Sequence, residues 1–84
     1  MSTRRQYRER RPKLAIGDMG IEGVVVRWLP YKRCGFIRPC NGAASIFFHD
    51  SDVPRHREKC VGVGRTVYFD VAAGKPGMLK ALVR

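Results

Sequence analysis

No run of apolar residues in this 84-residue chain approaches the ~20 that cross a bilayer as a helix. The N-terminus opens on arginines with no apolar stretch behind them, so no secretory signal is expected. These absences lead us to expect a soluble, cytoplasmic protein. Cysteine is scarce as well. Three residues are an odd number and too few for a disulfide framework, and they read as thiols of a reducing compartment. Acidic side chains are the most telling shortage: seven Asp and Glu stand against 17 Lys and Arg, a formal net charge of +10, which points to a polyanionic partner. At 84 residues a single small domain is expected rather than a large multi-domain enzyme, and one small core leaves little net stability. No internal repeat and no sustained helical period is present.

The charge is unevenly placed. Residues 1 to 13 (MSTRRQYRERRPK) hold Arg4, Arg5, Arg8, Arg10, Arg11 and Lys13 against Glu9, a balance of 6 − 1 = +5, and the other 71 residues carry the remaining +5. Tyr7 is the segment's one aromatic ring, and the first branched aliphatic residue is Leu14. Residues 1–15 are therefore expected to form a flexible Arg-rich arm, unable to bury enough surface to offset its ordering entropy. A solvated tail is the plainer reading of such an arm. The dominance of arginine favours docking on phosphates, because guanidinium grips them bidentately and stacks on bases; the arm is also a candidate contact for protein partners.

From Ile16 to the end, short β-type runs alternate with turn residues. Ile21 to Leu29 is β-branched and bounded by Gly20 and Pro30; Cys34 to Arg38 and Ser45 to His49 flank the turn-like Pro39-Cys40-Asn41-Gly42. Arg65 to Ala72 alternates with Val67, Phe69 and Val71 on one face, and Met78 to Val83 follows Gly74-Lys75-Pro76-Gly77. Five short strands must hide their edges, so residues 16–84 are expected to close into a small all-β barrel.

Three stretches, Gly23-Val24-Val25-Val26-Arg27-Trp28, Lys32-Arg33-Cys34-Gly35-Phe36-Ile37 and Ile46-Phe47-Phe48-His49, resemble the cold-shock domain family. That family has a basic-aromatic first strand, then a Lys-Gly-Phe-Gly-Phe-Ile motif, then a Val-Phe-Val-His motif. From Gly23 to Phe69 the register holds without a gap, including Gly42, Ser51 and Gly64, and Gly74-Lys75 and Ala81-Leu82-Val83 remain similar beyond it. The resemblance covers most of the chain apart from the arm. It implies a five-stranded antiparallel OB-fold barrel that binds single-stranded RNA or DNA, as an RNA chaperone or expression regulator.

The residue chemistry agrees. Side chains at i and i+2 on a strand share a face, so Cys34 lies with Phe36, and Phe47 with His49; Ile37, Ile46 and Phe48 point the other way, into the core. Adjacent strands thus present three flat rings, and each base stacked on such a platform contributes ~1–3 kcal/mol. Ordinary core packing is the alternative for Phe36 and Phe47. In the ungapped register Arg27 falls where the family has its tryptophan, and Trp28 where it has the next phenylalanine; a one-residue bulge would reverse their faces. Trp28 is taken as a stacking or platform-edge residue, with partial burial as the alternative, and Arg27 as a guanidinium that stacks or pairs with phosphate. Lys32 matches the motif lysine, Arg33 replaces a glycine and adds charge, and Arg38, Arg55, Arg57 and Lys59 are candidates for a basic rim, each of them equally readable as a solvated surface charge. Tyr31, in the loop beside Lys32, is a candidate base contact or equally an exposed loop residue.

Departures from the family pattern weaken stacking. Cys34 stands in place of a ring, Asp50 in place of another, where it would repel phosphate if it faced the groove, and the loop Pro54 to Cys60 lacks an aromatic. Other signals are set aside. His49-Asp50-Ser51-Asp52 are chain neighbours, unlike the distant members of a hydrolytic triad; Cys34, Cys40, Cys60, His49 and His56 lack a closed metal spacing; and Gly62-Val63-Gly64 reads as a turn.

The chain is read as a non-enzymatic, monomeric single-strand binder, RNA ahead of DNA, without catalytic residues, cofactor, metal, membrane or small-molecule substrate. Phe36, Phe47, His49 and Trp28 stack on bases while Arg27, Lys32 and Arg38 hold the backbone. The alternative is a basic assembly subunit of a ribonucleoprotein, its barrel face covered by protein. A small nuclease on such a barrel is disfavoured, since no acidic cluster suited to a catalytic metal is visible. Reliance on charge predicts an affinity for single strands that falls by roughly 0.7 log units per log unit of salt for each neutralised phosphate. Titrations at several salt concentrations measure that slope, and a salt-insensitive affinity would refute the reading.

Overall fold

β-branched and aromatic residues at alternate positions build five strands: β1 (Ile21–Leu29), β2 (Cys34–Pro39), β3 (Ile46–His49), β4 (Thr66–Ala73) and β5 (Leu79–Val83). No strand end differs from the expected one by more than one residue. The computed structural model describes residues 13–84, apart from the side chains of Lys59 and Cys60. Of the arm expected over residues 1–15, residues 1–12 lie outside the described residues. Two short 3-10 segments, Asp50–Asp52 and Arg55–Cys60, occupy the connection from β3 to β4.

The strands close into a barrel in the order β1-β2-β3-β5-β4, with β4 returning to β1. All pairs are antiparallel except β3 with β5, which meet in parallel through Phe47 and Lys80. This is an OB-fold barrel, in which closure gives every strand a neighbour on both sides. Val25, Ile37, Ile46, Phe48, Val67, Phe69, Val71, Ala81 and Val83 fill it. Phe48 and Phe69 are the largest fully buried side chains, and burying each contributes about 1.5–3 kcal/mol. Among the described residues no helix is long and apolar enough to cross a membrane.

The packed part of the chain reaches back beyond Ile16, where the barrel was expected to begin. The Gly17 N–H donates to the Val71 carbonyl (3.0 Å) and the Val71 N–H to that of Asp18 (2.8 Å), so the segment before β1 runs along β4. The Gly20 N–H donates to the Asp70 carboxylate at 2.8 Å. Leu14 is partly buried against the core.

One backbone approach is tight enough to dictate a residue. Gly35 stands between Trp28 of β1 and Phe48 of β3 in the strand register. Trp28 and Phe48 stack with centroids 5.8 Å apart and an interplanar angle of 18°. A Cβ at Gly35 would collide with the Arg27 carbonyl oxygen and lie 2.8 Å from Phe48 Cε1. Gly35→Ala should therefore destabilise the barrel by about 1–3 kcal/mol through overpacking. Urea denaturation measures this, and an unchanged midpoint would show that the strands separate freely.

Candidate nucleic-acid interface

The outer face of β1, β2 and β3 is set by an irregularity in β1. Val25 pairs with Ile37, but the next pair is Arg27 with Phe36, which leaves Val26 as an extra, exposed residue. Val25 is held from the other side as well: its N–H donates to the Arg65 carbonyl (2.9 Å) and its carbonyl accepts from the Gly64 N–H (2.7 Å). Beyond Val25 the strand leaves β4 and follows β2 alone to Leu29, and the bulge forms that corner.

Because of the bulge, Arg27 points outward and Trp28 inward. Trp28 is half-buried over Gly35 and packs against the core through Phe48. The place expected for it among the stacking rings is held by Arg27. The physical reason is that the extra residue resets the alternation of the strand, and Gly35 leaves room for an indole. The remaining surface of Trp28 lines a cleft of about 490 Å³ with Pro30, Arg33, Asp50, Glu58, Val61 and Gly62.

Outside, the register aligns Arg27, Phe36, Phe47 and Lys80 in one row across β1, β2, β3 and β5. Phe36 and Phe47 are half-buried and meet edge to face, centroids 6.0 Å apart at 74°. Such a pair gains about 0.5–1.5 kcal/mol beyond its burial, which holds both rings in place. Arg38, two residues beyond Phe36 on the same face, is exposed.

A second row runs Leu29, Cys34, His49. Cys34 shares the face of Phe36 as expected, but it is a buried thiol and offers no stacking surface. The half-buried His49 ring accepts the Ser51 N–H at Nδ1 (3.0 Å) and lies 2.9 Å from the Ser51 hydroxyl. The neutral ring therefore carries its proton on Nε2, an N–H suited to a base or phosphate acceptor.

Lys32 and Tyr31 are exposed in the β1–β2 turn, and Arg55 and Arg57 on the second 3-10 segment. The side chain of Lys59 lies outside the described residues. Arg33 sits in the left-handed region, at a φ of 56°. Its Nε and Nη2 both donate to Asp50 Oδ2, at 3.1 and 2.6 Å, and its carbonyl accepts the Asp50 N–H at 2.7 Å. The repulsive carboxylate expected of Asp50 and the added charge expected of Arg33 thus cancel each other. Asp52 is likewise paired, with Lys80 at 3.2 Å. In the His49-Asp50-Ser51-Asp52 stretch the imidazole and hydroxyl meet as a local cap, while both carboxylates turn to cations elsewhere. Among the described residues no three His, Cys, Asp or Glu side chains gather to hold a metal.

Sequence reasoning missed Lys80 as the end of the aromatic row, because its place depends on the parallel pairing of β3 with β5. It also missed a hollow of about 460 Å³ beside Phe36 and Phe47, lined as well by Leu14 and Met78. The chain matches no protein-family model, and no curated protein matches it.

The left-handed backbone at residue 33 yields a stability test. Arg33→Gly and Arg33→Ala both lose the Asp50 pair, worth about 0–1 kcal/mol at such an exposed site, but only glycine relieves the strain of a Cβ at positive φ. The glycine variant should be the more stable of the two by about 1 kcal/mol in thermal unfolding. Equal stabilities would mean that the turn relaxes out of the left-handed conformation.

Proposed function

We propose that this protein is a non-enzymatic single-stranded nucleic-acid binding protein of cold-shock type, acting in the cytoplasm on RNA ahead of DNA. The observation that carries this reading is the row Arg27, Phe36, Phe47, Lys80 on the outer barrel face. Phe36, Phe47 and His49 provide base contacts; Arg27, Lys32 and Arg38 provide the phosphate-facing charge. Trp28 supports the platform from within, through Phe48, and meets ligand only at the cleft by the β1–β2 turn.

The geometry favours single strands for a physical reason. Two rings at 74° do not make one flat table, so bases stacked on both must turn relative to each other. A flexible single strand makes that turn, whereas the parallel stack of a duplex does not. Each base captured this way is withheld from pairing. A protein that binds only the unpaired state shifts weak RNA helices toward it by differential affinity, without a nucleotide cofactor.

Fluorescence anisotropy with labelled single strands, and matched duplex as control, tests the reading. Phe36→Ala and Phe47→Ala should each weaken single-strand binding by about 1–3 kcal/mol and leave the salt slope nearly intact. Equal binding of duplex and single strand would sink the platform, and binding to neither would point to the assembly-subunit alternative. Asp50→Asn should have the opposite electrostatic effect. It removes a negative charge and frees Arg33, so affinity at low salt should rise and the slope steepen by about 0.7 if Arg33 reaches a phosphate. Deleting residues 2–12 should lower the slope, and an unchanged slope would reduce the arm to a solubility tail.

A further inference from the structure

The ring of Phe47 borders two hollows that the stacking platform does not explain. The larger, about 460 Å³, is lined by Phe36, Ile46, Phe47, Leu14, Met78 and Leu79, together with exposed Lys13. The smaller, about 90 Å³, shares Phe47, Met78 and Leu79 with it and adds Gly74 and Lys75. The larger volume falls in the range of small-ligand sites, about 300–1,000 Å³.

Backbone hydrogen bonds hold the segments that carry Leu14 and Met78. Leu14 precedes a turn in which the Ala15 N–H donates to the Asp18 carboxylate (2.9 Å) and the Asp18 N–H to the Ala15 carbonyl (3.0 Å), with Gly17 tied to β4. Met78 closes the β4–β5 turn, its N–H donating to the Lys75 carbonyl (2.8 Å) and its carbonyl accepting from the Gly74 N–H (3.0 Å). Met78 is 44% exposed and lines both hollows, so its side chain is open to a ligand there.

The chemistry selects one occupant. The floor is apolar and continuous with the edges of the platform rings, and each hollow has a lysine at its border. A flat apolar body carrying negative charge fits both features, and a nucleotide is such a body. The chain's own residues 1–12 fit poorly: they hold five arginines against one glutamate and would bring positive charge against Lys13 and Lys75. Resting on the single-strand reading above, we propose that the larger hollow takes the base of the nucleotide that follows those stacked on Phe36 and Phe47. Lys13 faces that nucleotide's phosphate. The segment before β1, from Lys13 onward, is thereby part of the interface.

The test uses the full chain with oligothymidylates and oligouridylates of about four to about eight nucleotides, bracketing the site size of one such barrel. Each is prepared with a normal or an abasic end nucleotide. Affinity should rise by about tenfold at the length that reaches the hollow, the worth of one captured base. The step should vanish when that end nucleotide is abasic. It should vanish in Met78→Glu and shrink in Lys13→Glu, while shorter strands that stop at the platform are weakened far less. Both residues are exposed, and thermal unfolding checks that the variants fold. A step that survives both the abasic end and Met78→Glu would overturn the pocket and leave the platform reading standing. Absence of binding by any strand would overturn both. A step seen with oligouridylate alone and retained when its end nucleotide is abasic would mean that the sugar hydroxyl, not the base, is recognised, and would overturn it too. So would a deletion of residues 2–12 that strengthens only the longer strands, since the arm would then be the occupant.

Discussion

β1 has to serve two neighbours that diverge around the barrel, and the extra residue at Val26 is how it does so. Up to Val25 the strand is hydrogen-bonded toward the β4 side; beyond it, β1 pairs only with β2. Inserting one residue sends Val25 and Trp28 inward and Arg27 outward. Without it, a guanidinium would be turned toward fully buried Phe48 and an indole toward water, an arrangement that costs both desolvation and lost packing. The inward indole in turn requires a neighbour without a side chain, which Gly35 supplies, and a flat partner, which Phe48 supplies. Bulge, glycine and ring pair are one packing unit. The outward row of Arg27, Phe36 and Phe47 exists because that unit occupies the inside.

Charge on the described surface is distributed by pairing as much as by number. Asp50, Asp52 and Asp70 each hold a cation, Arg33, Lys80 and Arg84 respectively. Exposed pairs of this kind contribute only about 0–1 kcal/mol to folding, so their main consequence is the field they leave. At the His49 end of the face, Arg33 and Asp50 neutralise each other. Along the Arg27 and Arg38 side no such pair forms among the described residues. On the binding reading, a strand's phosphates are drawn to that side, with bases directed across the rings toward β3.

Strand positions and core were legible in the sequence because both are local. A period of two separates Ile37, Ile46 and Phe48 from Phe36, Phe47 and His49, and glycine-containing turns mark the ends. The Asn41-Gly42 turn is one such mark: Gly42 takes a φ of 91°, and Asn41 Oδ1 accepts the Ala43 N–H at 3.0 Å. What could not be read depends on contacts between distant parts of the chain. Whether Arg27 or Trp28 faces outward turns on a bulge fixed by Gly64 and Arg65. The neutralisation of Asp50 needs the β1–β2 turn to meet the end of β3. Lys80 joins the aromatic row through a single parallel pair, and Lys13 and Leu14 reach the hollow only because Gly17 and Asp18 bond to Val71.

If the outer face is a cold-shock-type platform, as proposed, its fewer rings and added cations are connected choices in a barrel of this size. A stacking platform must leave apolar surface in water when no ligand is bound, and a small domain has little buried area to set against that cost. Replacing a ring by the buried thiol of Cys34 returns part of that surface to the interior, where it favours folding. Placing Arg27 outward instead of Trp28 does the same on β1. On the binding reading, free energy lost from stacking would be recovered from counterions released by the phosphates, which requires no exposed apolar surface in the free protein. The exchange changes the character of recognition. Stacking responds to the bases and barely to salt, whereas counterion release responds to salt and not to the bases. On that reading, a platform of Phe36, Phe47 and His49 beside a cationic edge would suit reversible engagement of many sequences.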